Sequence, residues 1–124
     1  MGDPHPRVAV VDDEASVLKA LGRLIRSAGM AVETFGSGAE FLAIIADHSF
    51  DCLIVDLHME DMSGFDVQHE LARRGIRVPV IVITGRDSAE SRARASAGGA
   101  DKYLLKPVDG KLMLDAIAEL TWNR

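Results

Sequence analysis

The sequence lacks several features that would place it in large classes of protein. Its 124 residues include one cysteine, Cys52, which excludes an internal disulfide framework. No apolar run approaches the roughly 20 residues that cross a bilayer. The start, MGDPHPR, is polar and proline-bearing, unlike a signal peptide. These absences predict a cytoplasmic protein without membrane association, in which Cys52 is a small buried hydrophobic residue.

An excess of positive charge is also missing. Lys and Arg number 14 against 19 Asp and Glu, giving a net charge of -5. Because affinity for a nucleic-acid backbone comes from clustered cations, we expect no direct nucleic-acid binding by this chain. Internal repeats and low-complexity segments are lacking too. The length and the 48% hydrophobic content predict one domain over residues 1–124, of which residues 1–6 form a short N-terminal arm.

Short apolar runs alternate along the chain with stretches of helical period. Three runs are almost wholly aliphatic: VAVV at 8–11, CLIV at 52–55 and VIVI at 80–83. Runs without alternation are typical of parallel strands buried on both faces. Weaker strands are predicted at 31–35 and 102–105, as the edges of the sheet.

Helix signals fill the intervals between these strands. SGAE at 37–40 and DSAE at 87–90 have capping-box spacing, and Gly29 follows the first periodic stretch where a helix would end. The other apolar positions at helical spacing are Val17, Leu21, Leu24 and Ala28, and later Leu114, Ile117 and Leu120. With right-handed crossovers, the order βαβαβαβαβα predicts an α/β, flavodoxin-like fold: a doubly wound five-stranded parallel sheet, order 2-1-3-4-5, with helices on both faces.

Acidic residues stand where two of the predicted central strands end. Asp12 and Asp13 follow the first strand, and Asp56 ends the third. Ligands bind at this edge of such sheets, where the strand order reverses. Three carboxylates held together require a hard cation, so the pattern predicts a Mg²⁺ site. Alone, Asp12, Asp13 and Glu14 could equally decorate a helix N-terminus, but a carboxylate on the neighbouring strand favours the metal.

The last two strands end in a hydroxyl and an ammonium group. VIVITG finishes the fourth strand with Thr84, and LLKP follows the fifth with Lys106 and Pro107. Singly, these would be an ordinary strand-ending threonine and a solvated lysine. Together with the carboxylates and a cation, they supply a nucleophile, a charge clamp and donors for phosphoryl oxygens. The constellation predicts phosphoryl chemistry.

Four segments, VVDDE, VDLHMEDMSG, VIVITG and YLLKP, occur in this order and together resemble the receiver domain of bacterial two-component response regulators. The resemblance covers the whole chain and implies that Asp56 accepts a phosphoryl group from a histidine kinase or a histidine phosphotransfer protein. It implies a signalling domain rather than an enzyme, one that assists its own phosphorylation and dephosphorylation.

The resemblance also implies roles for the neighbouring residues. The metal site would comprise Asp12 acting through water, Asp13 and Asp56 binding directly, and the backbone carbonyl of His58. Thr84 and Lys106 would contact phosphoryl oxygens, the rotamer of Tyr103 would follow Thr84, and the peptide bond before Pro107 would be cis. Glu60 stands where many relatives carry proline. Arg86 occupies a position at which the family tunes the rates of phosphorylation and dephosphorylation, so the lifetime of the phosphorylated form stays open.

Phosphorylation would shift the domain between two conformations already present in the free protein. The expected output surface is the face of the fourth helix, fifth strand and fifth helix, with Glu90, Arg92, Arg94 and Tyr103. Its charged residues could equally be plain solvated helix. An attached effector domain, a protein target or a phosphorylation-dependent dimer would use this face, and the sequence leaves open whether an effector exists.

Two other classes remain open at this stage. A Mg²⁺-dependent phosphohydrolase with an aspartyl-phosphate intermediate would usually have a second acid two residues after the nucleophile, where this chain has His58. A flavin- or nucleotide-binding domain would have a glycine- or hydroxyl-rich loop after the first strand. This chain has Asp12, Asp13 and Glu14 there, which repel phosphate without a metal.

Overall fold

The computed structural model describes residues 6–121. These residues contain one five-stranded parallel sheet in the order β2-β1-β3-β4-β5. The strands are β1 (Arg7–Val11), β2 (Ala31–Phe35), β3 (Cys52–Asp56), β4 (Val80–Thr84) and β5 (Lys102–Leu105). The predicted doubly wound sheet, its order and its two edge strands are confirmed. The arm predicted for residues 1–6 lies outside the described residues apart from Pro6.

A helix follows each strand. The helices are α1 (Ala15–Ser27), α2 (Gly38–Ile44), α3 (Gly64–Arg73), α4 (Ala89–Ala97) and α5 (Gly110–Thr121), and a 3₁₀ turn at Ile45–Asp47 continues α2. Gly29 ends the first helical segment as predicted, since its φ of 85° is in the left-handed region that favours glycine. Within residues 6–121, none of the helices combines the length and the apolar character that crossing a bilayer requires.

The sheet carries an apolar core on each face. On one face, Phe35, Phe41 and Phe50 form a cluster with ring centroids 5.5 to 6.2 Å apart, beside apolar residues of α2, α3 and α4. On the other face, Ile25 of α1 and Ile117 of α5 are fully buried against the strands. Every residue of β3 and of β4 is buried. The uninterrupted aliphatic runs are therefore explained by burial on both faces.

Cys52 lies at the start of β3, fully buried as predicted. Burial raises the pKa of its thiol to about 12, and the carboxylates of Asp101 and Asp51 add to this shift. Since the thiolate is the reactive form, the thiol is chemically inert in the folded protein.

The helix N-termini show where capping was predicted well and where it was not. Ser37 caps α2 as expected, accepting a hydrogen bond from the backbone N–H of Glu40 at 3.1 Å. The cap predicted at Asp87 is wrong by one residue: Ser88 caps α4, and the Asp87 carboxylate binds Arg92 instead. A complete capping box at the start of α3 had not been predicted.

Candidate functional site

The carboxyl ends of β1, β3, β4 and β5 meet at one edge of the sheet. In the register of the strands, Val11 lies beside Val55, Asp56 beside Ile83, and Thr84 beside Leu105. The residues that follow or end these strands are therefore brought together although they are far apart in sequence. The predicted site residues Asp12, Asp13, Asp56, Thr84 and Lys106 all belong to this edge.

Three carboxylates converge there. Asp12, Asp13 and Asp56 each offer an oxygen within 4.8 Å of the other two. Asp12 and Asp56 are buried and Asp13 is exposed, so the cluster reaches solvent at Asp13. The predicted convergence of these three residues is confirmed.

Backbone amides hold the carboxylates in place. The Glu14 N–H donates to Asp12 Oδ1 at 2.8 Å, and the Glu60 N–H donates to Asp13 Oδ2 at 3.1 Å. The second bond ties the loop after β3 to the loop after β1. Its donor is the backbone N–H of Glu60, which stands where many relatives carry proline, and proline has no N–H to donate. The Asp56 Oδ1 atom accepts a longer bond, 3.4 Å, from the His58 N–H.

Lys106 supplies the positive charge among these acids. Its Nζ lies 2.7 Å from Glu14 Oε1, 2.9 Å from Asp12 Oδ2 and 3.4 Å from Asp56 Oδ2. Burial lowers the pKa of Lys106, but hydrogen bonding with Glu14 and Asp12 outweighs it, and the net pKa lies well above its usual range. The lysine is therefore charged at every physiological pH.

Asp56 keeps an unfavourable environment in spite of that lysine. Burial is the main cause that raises its pKa, and the neighbouring charge of Asp12 adds to it. Lys106 and the His58 N–H oppose the shift without cancelling it. One ammonium group thus compensates three carboxylates incompletely, and a further cation would stabilise the ionised form.

The donor set fits a hard divalent cation. All three side chains offer carboxylate oxygens, the ligands that such cations prefer. Asp12 Oδ2 is buried and lacks a partner with hydrogen-bond geometry, although Lys106 is nearby. The Lys106 ammonium offsets part of the cost of burying this charge, but Glu14 and Asp56 share the same ammonium group. The acidic triad is consistent with a divalent metal site.

Thr84 and Lys106 are joined through the backbone at the end of the sheet. The Lys106 N–H donates to the Thr84 carbonyl at 2.8 Å. The Thr84 hydroxyl is buried, accepts a hydrogen bond from the Arg86 N–H at 3.0 Å, and donates to the Arg86 carbonyl at 3.3 Å. The peptide bond between Lys106 and Pro107 is cis, the isomer that the resemblance implies.

Tyr103 lies two residues before Leu105 on β5 and pairs with Val82, so it shares a face of the sheet with Thr84. Its ring packs against the core cluster on that face. The guanidinium carbon of Arg92 lies 4.8 Å from the ring centroid. This places the predicted switch residue between the core and α4.

Gly64 allows the loop after β3 to return close to the acceptor strand. A Cβ at this position would lie 2.6 Å from the Asp56 carbonyl oxygen and 2.9 Å from the Leu57 Cα. The Gly64 N–H also donates to the Leu57 carbonyl at 3.0 Å. The sequence segment MSG contains this glycine, but the close approach is visible only in three dimensions.

Glu14 is the site residue that sequence reasoning left without a role. It was grouped with the acids after the first strand, yet its carboxylate makes the shortest contact to Lys106. The two residues are 92 positions apart, and no local pattern connects them.

The fold and the site together define a class: a doubly wound sheet with three carboxylates and a lysine at its carboxyl edge is the architecture of a receiver domain. The chain belongs to the response regulator receiver domain family, whose model matches residues 8–118.

Relatives support this assignment. The chain is 38% identical over 117 residues to the response regulator protein TmoT of Ectopseudomonas mendocina, covering 94% of the chain and 53% of that protein. It is 40% identical over 114 residues to nodulation protein W of Bradyrhizobium diazoefficiens, covering 92% and 50%. The crystal structure of a response regulator receiver protein from Burkholderia phymatum is 42% identical, with a TM-score of 0.84 and coverage of 94% and 95%. The chain spans about half the length of the curated relatives it matches.

Family membership also decides between the classes that the sequence left open. The receiver domain is a signalling domain rather than an enzyme, and the chain matches that family over most of its length. The phosphohydrolase and the flavin- or nucleotide-binding alternatives are therefore not supported.

Proposed function

We propose that the chain is a phosphoacceptor domain that takes a phosphoryl group onto Asp56 from a histidine kinase or a histidine phosphotransfer protein. The observation that carries the proposal is the position of the Asp56 carboxylate. It is buried at the end of β3, in a cluster with Asp12 and Asp13, and its Oδ2 lies 3.4 Å from Lys106 Nζ. A nucleophilic oxygen beside a fixed cation is what phosphoryl transfer requires.

The transfer is an exchange of one bond to phosphorus for another. An Asp56 oxygen forms a bond to phosphorus while the bond from phosphorus to the donor histidine nitrogen breaks, and that nitrogen keeps the electron pair. Asp56 Oδ1 accepts the His58 N–H, whereas Oδ2 faces Lys106. Lys106 would turn from Glu14 and Asp12 to a phosphoryl oxygen and balance the added negative charge.

We assign the acidic triad to Mg²⁺, bound directly by Asp13, Asp56 and the His58 backbone carbonyl, with Asp12 acting through water. When bound, the ion would neutralise negative charge on the carboxylates and on the phosphoryl oxygens. Asp13 is the exposed member of the triad and is the residue through which the ion would enter.

We further propose that Thr84 and Tyr103 transmit the modification. The Thr84 hydroxyl would leave the Arg86 backbone and donate to a phosphoryl oxygen, and Tyr103 would occupy the space that this frees. The face of α4, β5 and α5, which carries Glu90 and Arg92, would change shape and serve as the output surface. Arg94, expected on this face, instead packs over the ring of Phe65 in α3.

The partners follow from this role. They are the kinase or phosphotransfer protein at the acidic edge, and an effector domain, a protein target or a second phosphorylated copy at the output surface. We propose that residues 1–124 all belong to the receiver domain. A cytoplasmic location and the lack of direct nucleic-acid binding remain predictions.

The proposal is tested with a small phosphodonor. Purified protein with Mg²⁺ and acetyl phosphate should gain one phosphoryl group by intact mass, and Asp56→Asn should gain none. Asp61→Asn is the matched control, because Asp61 is an exposed acid in the same loop and lies outside the carboxylate cluster. Labelling of Asp56→Asn at the wild-type level would show that another residue is the acceptor.

A further inference from the structure

One guanidinium group joins the loop between β4 and α4 to the switch tyrosine. Arg92 donates from Nε to Asp87 Oδ1 and from Nη2 to Asp87 Oδ2, each at 2.9 Å. Its Cζ lies 4.8 Å from the centroid of the Tyr103 ring. We call these three residues the Arg92 cluster. The two parallel hydrogen bonds fix the plane of the guanidinium, so the position of Asp87 determines how Arg92 lies on the ring.

Asp87 is available for this contact because it does not cap the helix. Ser88 accepts the hydrogen bond from the Ser91 N–H at the start of α4, which leaves both oxygens of Asp87 for Arg92. The hydroxyl oxygen of Tyr103 is buried. Burial raises the pKa of Tyr103, and the neighbouring Asp87 carboxylate adds to the shift. The carboxylate, the guanidinium and the phenol therefore interact as one unit.

The loop that carries Asp87 is fixed at both ends. At one end, Arg86 exchanges two hydrogen bonds with the Thr84 hydroxyl. At the other end, Arg92 holds Asp87. If Thr84 turns toward a phosphoryl group, its hydroxyl must give up the two hydrogen bonds to Arg86. The hydrogen bonds from Arg92 to Asp87 and the contact of Arg92 with the Tyr103 ring would persist, and they would resist movement of the loop and of the tyrosine.

We infer that Arg92 is a positioning residue that holds Tyr103 and the β4–α4 loop in the unphosphorylated arrangement and so opposes activation of the domain. This inference rests on the proposed function of Asp56. If Arg92 stabilises the resting conformation, it lowers the apparent affinity for any ligand that binds the activated conformation. The effect can therefore be measured at the phosphorylation site. Arg92 makes no contact with Asp56, so an effect there must pass through the conformational equilibrium.

The chain offers a direct probe, since Tyr103 is its one tyrosine. Protein labelled with 3-fluorotyrosine gives a single fluorine resonance, which is followed while beryllofluoride is added with Mg²⁺ present. In Arg92→Gln the concentration for half-maximal change should fall about two- to five-fold, the range expected for one exposed ion pair and one cation–π contact. The rate of labelling by acetyl phosphate should rise in the same direction.

Arg94→Gln is the matched control. Arg94 belongs to the same helix and makes the same type of contact, but with Phe65, at 4.1 Å. It should respond to beryllofluoride like the wild type. Asp87→Asn should also lower the beryllofluoride concentration for half-maximal change. The double variant should lower it little further than either single variant, because both substitutions remove the same interaction.

The outcomes separate the two proposals. A wild type that is labelled at Asp56, with an Arg92→Gln variant whose half-maximal concentration equals or exceeds that of the wild type, overturns the role of Arg92 and leaves the proposed function intact. A wild type that neither binds beryllofluoride nor accepts a phosphoryl group overturns both. A comparable fall in Arg94→Gln would show a general loosening of α4 and would also overturn the specific role of Arg92.

Discussion

Single residues set the tightest geometric limits at this site, and Gly64 is the clearest example. A Cβ there would lie 2.6 Å from the Asp56 carbonyl oxygen, which is a backbone atom that cannot rotate away. Gly64→Ala should destabilise the fold by about 1–3 kcal/mol, the usual range for overpacking, and should slow labelling of Asp56 because the acceptor strand must move.

Urea denaturation of Gly64→Ala measures the first effect and intact-mass kinetics the second. Gly36→Ala is the control, since a Cβ at Gly36 meets only the Glu40 side chain at 3.7 Å, an ordinary contact. Equal stability of the two variants would contradict the close approach seen in the structure.

Tyr103 allows a prediction about pH. Burial, followed by the Asp87 carboxylate, raises its pKa, while Arg92 lowers it. A phenol with a raised folded-state pKa binds its proton more tightly in the folded protein than in the unfolded chain. The stability that it contributes is therefore present below the unfolded pKa of about 10 and is lost as the pH rises through the folded value.

In a pH titration followed by phenolate absorbance, the midpoint should therefore lie at a higher pH for the folded protein than for the protein in urea. Asp87→Asn should move that midpoint down toward the unfolded value, and Arg92→Gln should move it up. A folded midpoint at or below the one in urea would refute the assigned environment of the hydroxyl.

The sequence was sufficient to predict the site residues that lie at the ends of strands. It was not sufficient to predict contacts between residues far apart in the chain. Asp12, Asp13 and Asp56 were predictable because parallel strands place their carboxyl ends at one edge. The pairing of Glu14 with Lys106 was not, since the two side chains are remote in sequence and three acids follow β1. Asp12 and Glu14 both lie against the lysine, and the hydrogen bond from the Glu14 N–H to Asp12 Oδ1 shapes the turn between them.

Among the secondary structure elements, α3 and α4 differ in how firmly they are attached. The Ser63 hydroxyl accepts the Asp66 N–H at 3.1 Å, and Asp66 Oδ2 accepts the Ser63 N–H at 3.0 Å, so the start of α3 has a full capping box. In addition, α3 buries Val67 and Leu71, whereas Ala95 is the one buried residue of α4.

We therefore expect two serine caps of similar geometry to have different effects. Ser63→Ala should lower the global free energy of unfolding by about 1 kcal/mol, the usual cost of a lost N-cap. Ser88→Ala should mainly speed hydrogen exchange in α4, because that helix opens locally before the rest of the fold. Urea denaturation and amide exchange distinguish these effects, and equal global destabilisation by both variants would argue against a loosely held α4.

Strands were easier to predict than helix boundaries for a physical reason. Burial on both faces leaves an unbroken aliphatic run, and such a run has few other interpretations in a soluble α/β fold. A helix cap depends on which of several suitable side chains wins a local competition. Asp87 and Ser88 are both good capping residues; Ser88 caps the helix, and Asp87 binds Arg92, five residues further on.

For the whole molecule, the acidic site should lower stability until a cation binds. The triad and Glu14 place four carboxylates at a site with one lysine, and the pKa of Asp56 is raised by burial first and by Asp12 second. At tenfold over its dissociation constant, Mg²⁺ should stabilise the fold by about 1.4 kcal/mol, provided that the unfolded chain does not bind it. Potassium chloride at matched ionic strength should do less.

Asp13→Ala is the informative variant for this prediction. It removes both a like charge and a metal ligand, so it should melt no lower than the wild type in EDTA and should not respond to millimolar Mg²⁺. Melting of both proteins in EDTA and in Mg²⁺ makes the comparison. A wild type indifferent to Mg²⁺, or a variant that responds fully, would mean that these carboxylates do not share a cation.

Because Cys52 is buried, the reactivity of its thiol reports how often β3 becomes exposed to solvent. A thiol-specific reagent cannot reach this sulfur in the closed sheet, so its modification rate equals the opening constant multiplied by the rate for a free thiol. Cys52 and Asp56 lie at opposite ends of the same strand. A cation or phosphoryl mimic that binds at Asp56 will therefore slow alkylation of Cys52 by the same factor by which it stabilises the closed sheet. The measurement is made in native buffer, without a denaturant.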